Sequence, residues 1–132
     1  MKTKRLFICL GLLWVAPKLF AQALTFPEYQ ISVESEKKGE KPFLLNKHQT
    51  LLVTLKPSSE AKAEVVGLKF DARMPQHKHG MVTQAKVVRL ESLKYLVQGV
   101  RLHMPGEWVL EFLIQDKKGQ TRIEVPWLLP AQ

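Results

Sequence analysis

The chain has 132 residues, of which 45% are hydrophobic and 24% charged, a formal net charge of +8 and one cysteine, Cys9. That length is right for a leader followed by a single domain. One cysteine excludes an intrachain disulfide framework, and basicity without an Arg-rich cluster argues against nucleic acid, whose binding needs a concentrated cationic face.

Residues 1–23 carry the marks of a secretory signal peptide. Lys2, Lys4 and Arg5 precede an apolar stretch from Leu6 to Ala16. Its 11 residues fall short of the roughly 20 that a bilayer-spanning helix needs. Ala21-Gln22-Ala23 then offers the small-x-small pattern for cleavage after Ala23. Cleavage there leaves 109 residues and removes four basic residues and no acidic one, so the net charge falls from +8 to +4. Cys9 leaves with the leader, so the domain, residues 24–132, has no thiol for disulfides or catalysis. The expected location is the periplasm or the exterior, as a soluble protein with no transmembrane segment. At this size about two thirds of the unfolded surface is buried on folding, enough for an unaided core.

Beyond the leader, apolar residues recur with period two and no helical stripe appears. A first strand is predicted over Glu28 to Glu34, followed by a charged loop from Ser35 to Pro42. Thr50 to Leu55 follows, with Leu51, Val53 and Leu55 on one face. Glu64 to Arg73 groups Val66, Leu68, Phe70 and Ala72 against Val65, Gly67, Lys69 and Asp71. Val82 to Leu90 and Tyr95 to Leu102 are the next two, the latter closed by Pro105-Gly106, a turn signature. Glu107 to Gln115 aligns Trp108, Leu110, Phe112 and Ile114; Asp116-Lys117-Lys118-Gly119 turns the chain, and Ile123, Val125 and Trp127 line the last strand. Seven short strands at this spacing predict an all-β, seven-stranded antiparallel sandwich of immunoglobulin-like type, with a small barrel as the alternative.

Histidine and methionine fall unevenly along this frame. Three of the four histidines (His77, His79, His103) and every methionine after the leader (Met74, Met81, Met104) lie between positions 74 and 104. Both groups, Met74 to Met81 and His103 to Gly106, occupy strand ends, where loops gather and sites are built. Thioether sulfur prefers Cu(I), and imidazole accepts copper in either redox state, so the mixture points to copper rather than zinc. In an extended segment His77, His79 and Met81 project to one side. Packing is the competing reading: Met74 and Met104 share parity with core residues, and Met is a common core filler. On a regular strand His103 and Met104 would face opposite ways, unless the strand broke at Pro105. The candidate ligands are therefore His77 and His79, then His103 and Met104, then Met74. Met81 reads better as packing and His48 as a structural histidine. Nothing supports a nucleophile, a phosphate loop or a dinucleotide fingerprint, so no enzyme is expected.

Met74-Pro75-x-His77-x-His79-Gly80, Val97-x-Gly99-Val100 and Met104-Pro105-Gly106-x-Trp108, with Leu45-Asn46-Lys47-His48 before the second strand, resemble the YtkA-like (FixH-like) family of small exported bacterial domains. The resemblance implies an immunoglobulin-like sandwich, export, and a place near copper handling or respiratory-complex assembly. Where the family often has Leu, this chain has Met81, which favours packing there. Val82 and Ala85 replace frequent prolines, and Glu91-Ser92-Leu93-Lys94 replaces a Gly-rich hairpin. Two functions are expected from these residues: an accessory protein holding copper or another soft metal, or a non-metal interaction module that docks an envelope protein.

Overall fold

The computed structural model describes residues 28–58 and 64–131; the leader predicted over residues 1–23 lies outside them. Within the described residues the period-two pattern becomes eight strands: β1 (Tyr29–Ser35), β2 (Gln49–Pro57), β3 (Val65–Met74), β4 (His79–Gly80), β5 (Lys86–Glu91), β6 (Lys94–Val100), β7 (Gly106–Asp116) and β8 (Gly119–Leu129). They form two four-stranded antiparallel sheets, ordered β1-β2-β6-β5 and β4-β3-β7-β8. Leu51, Val53, Leu55, Tyr95 and Val97 from one sheet and Leu68, Phe70, Ala72, Leu110, Phe112 and Ile114 from the other share a single core. This all-β arrangement fits a β-sandwich. Apart from Ala72, each of those side chains contributes about 1.5–3 kcal/mol by leaving water. Among the described residues no helix is long and apolar enough to cross a membrane.

The strand count differs from the seven predicted because β4 has only two residues, too short for any periodicity to show. Boundaries also move. The strand expected from Val82 starts at Lys86; before it, the Thr83 hydroxyl donates to the Gly99 carbonyl at 2.7 Å, holding residues 82–85 as a loop. The strand expected to reach Leu102 stops at Val100, just after Gly99, whose φ is +74°.

One facing assignment is corrected. Val66 was expected inside with Leu68 and Phe70, but it is 56% exposed while Val65 is 3% exposed. The β3–β7 register shifts between Val65 and Gly67. A bulge there spends an extra residue and reverses the parity of everything before it.

Candidate metal centre

The first half of the site is a tight reversal at the end of β3. Pro75 fixes the start of a 3-10 turn, Pro75–His77, and holds the preceding Met74 extended, at φ −106° and ψ 100°. Lys78 then takes a left-handed conformation and its N–H bonds the Pro75 carbonyl. The chain returns antiparallel: the Met81 N–H reaches the Ala72 carbonyl at 3.1 Å, His79 stands opposite Met74, and Gly80 opposite Arg73. Directly opposed residues of an antiparallel pair leave the sheet on the same face. Met74 points into the core at 1% exposure, so the His79 imidazole faces the same rim.

The second half comes from the segment after β6. The Asn46 N–H bonds the Leu102 carbonyl at 2.7 Å, and the Arg101 guanidinium donates to Asn46 Oδ1 at 3.0 and 2.7 Å. Asn46 itself adopts a φ of 56°, a left-handed corner that asparagine tolerates well. On the other side the Trp108 indole N–H donates to the Met104 carbonyl at 2.9 Å. Residues 101–105 are thus pinned from both flanks, and His103 is delivered to the rim.

The imidazoles meet there. Ring centroids are 5.7 Å apart for His77 and His79, and 5.1 Å for His79 and His103. Trp108 presents its ring to both neighbours, 6.1 Å from His79 and 5.7 Å from His103, with the rings steeply inclined. His79 Nδ1 lies 3.1 Å from the Gly80 carbonyl. A neutral ring that donates there keeps its Nε2 lone pair free. Among the described residues, His103 Nδ1 is buried with no hydrogen-bond partner. Burial, with His79 and Arg101 nearby, lowers the His103 pKa from its ordinary value, which favours the neutral form that binds metals.

The structure therefore brings His77, His79 and His103 together, and the buried Met74 stands opposite His79 in the β3–β4 ladder. Met104 contributes its carbonyl to the rim, while its half-buried side chain packs on the core, as does that of Met81. His48 is exposed and is not among the stacked rings. Among the described residues no three His, Cys, Asp or Glu side chains are already placed to share a metal ion. Trp108, which the alternation aligns with Leu110, Phe112 and Ile114, is also the wall behind two imidazoles.

Compared with protein-family models, curated proteins and solved structures, the chain matches none.

Proposed function

We propose that this protein is an exported accessory protein that binds copper, or another soft metal, at the His77–His79–His103 rim. The carrying observation is the row of three imidazoles, with buried Met74 opposite His79 in the ladder and His103 Nδ1 without a partner among the described residues. A buried polar atom without a partner costs free energy, and a metal bond is one way to offset it. Imidazole nitrogen and thioether sulfur suit Cu(I). Coordination here would draw on His79 and His103, with the exposed His77 ring turned inward and Met74 supplying sulfur. Such an open site at a strand-end rim lets an ion pass on to a second protein, which suits metal handling or respiratory-complex assembly. The basic, apolar leader and the likeness to YtkA-like domains support export and an immunoglobulin-like sandwich; no catalytic step belongs to this reading.

Titration of the purified protein with Cu(I) against a colorimetric chelator tests it. The expected result is binding tighter than about 1 μM, lost in a His79→Ala, His103→Ala double variant. Weaker binding, or no change in that variant, overturns it.

A second reading, docking of an envelope protein without metal, has its own observation. A groove of about 480 Å³ beside the rim is lined by Pro75, Gln76, Trp108, Val109, Trp127 and Leu128, among others. Affinity capture with and without a strong chelator separates the two readings: a partner retained in full after metal removal favours the second.

A further inference from the structure

Strand β8, 11 residues long, forms one edge of its sheet, and the ladder fixes which of its backbone groups face out. The Met81 N–H bonds the Ala72 carbonyl, so even-numbered residues at the end of β3 turn their amides toward β4 and odd ones toward β7. The pairings Arg73↔Val109, Leu110↔Val125 and Phe112↔Ile123 carry this alternation across the sheet. In β8 the odd residues consequently bond β7, and Gln120, Arg122, Glu124, Pro126 and Leu128 turn their backbone groups to the open edge. Pro126 agrees with this, since a proline within a sheet sits where its missing N–H is not needed by a neighbour.

All five side chains are exposed, and two of them are complementary. A second β8 laid antiparallel about a two-fold axis at Ile123 sets Arg122 opposite Glu124 of the second copy, and Glu124 opposite its Arg122. Both pairs exchange backbone N–H and C=O groups, because both residues face out. Gln120 then donates to the Pro126 carbonyl of the second copy. Glu124 already accepts from Arg73 through Oε1 at 3.2 Å, and its other oxygen remains for the incoming guanidinium. The other sheet's outer strands lack this match. β1 exposes Gln30, Ser32 and Glu34 without a cation, and β5 has six residues interrupted by a register shift between Arg89 and Glu91.

We propose that the protein forms a two-fold dimer by antiparallel pairing of β8 with β8 of a second copy, centred on Ile123. Opposite charges facing each other across such a ladder stabilise it, and like charges disrupt it. Sedimentation equilibrium of the purified protein, with far-UV circular dichroism to confirm the fold, tests the proposal. Arg122→Pro removes one outward N–H per copy without touching the β7 ladder, and Arg122→Glu places like charges opposite each other. Each is expected to raise the dimer dissociation constant at least about tenfold. A monomer at about 100 μM, or a dissociation constant unchanged in both variants, overturns the proposal. Weakening by Arg122→Pro with none by Arg122→Glu overturns the Ile123-centred register. Should Arg122→Pro fail to fold, Arg122→Glu decides.

Discussion

A β-carbon on Gly106 would stand 3.0 Å from Cε of Met74, a contact tight enough that the thioether end must give way. Gly106 also holds a φ of +124°, a conformation that L side chains rarely adopt. The crowded atom is the flexible end of a thioether and can swing away, so the backbone term dominates. Gly106→Ala is expected to cost about 1–3 kcal/mol, read as a lowered urea midpoint. The Met74 methyl that must move is bonded to its sulfur, so Cu(I) affinity should fall further than in a variant of equal stability loss made far from the rim. An unchanged midpoint would show that the strand end relaxes freely.

The three imidazoles should not be equal ligands. His103 has a buried, unpartnered Nδ1 and is held on both flanks, whereas His77 is exposed on the 3-10 turn. A ligand already in place costs less to organise than one that must be ordered on binding. His103→Ala is expected to weaken Cu(I) binding at least about tenfold more than His77→Ala, measured by chelator competition. Equal losses would mean that the rim rearranges wholesale when metal arrives.

Trp108 serves both the rim and the fold. Its indole N–H satisfies the Met104 carbonyl, and its ring is 1% exposed. Trp108→Phe keeps an aromatic wall but orphans that carbonyl and leaves a gap, so a loss of about 2–4 kcal/mol is expected. Urea denaturation measures this directly. A loss below about 1 kcal/mol would show that water replaces the indole without penalty.

Alternation made most strands legible, but only where the ladder is regular. Leu68, Phe70 and Ala72 were placed correctly, as was the row from Trp108 to Ile114, because their ladders run without interruption. Val65 and Val66 were inverted because a bulge leaves no local signature in two adjacent valines. Val65→Ala is accordingly expected to cost about 2 kcal/mol and Val66→Ala under about 0.5 kcal/mol. Comparison of their denaturation midpoints checks the parity, and a reversed order would place the bulge elsewhere.

The candidate site shows a similar limit. His77 and His79 do come together, yet not through an extended segment: a 3-10 turn and a left-handed Lys78 set their rings 5.7 Å apart. His103 joins them because the strand ends at Val100, well before Pro105. That ending depends on Asn46 gripping Leu102 and Arg101, a contact across more than fifty positions. No pattern around position 103 could report it.

Acid and alkali should each remove a distinct part of the stability, through one contact at the opposite end of the β7–β8 hairpin. The Tyr29 hydroxyl donates to Asp116 Oδ2 at 2.6 Å, and Asp116 Oδ1 accepts the Lys118 and Gly119 N–H groups at 2.8 and 3.0 Å. The Tyr29 hydrogen bond, followed by the backbone donors, lowers the Asp116 pKa from its ordinary value. Since the folded value lies below the unfolded one, this contribution is fully present above about pH 4 and disappears as the pH falls through the folded value. Burial and the hydrogen bond to Asp116 instead raise the Tyr29 phenol above its ordinary range. Its contribution is fully present below about pH 10 and is lost as the pH rises through the folded value. Tyr29→Phe removes the donor and should lower the urea midpoint at neutral pH. The gap from the parent protein should narrow on acidification below about pH 4 and on alkalinisation above about pH 10. Parallel midpoint curves across both windows would show that the contact forms equally well in the unfolded chain.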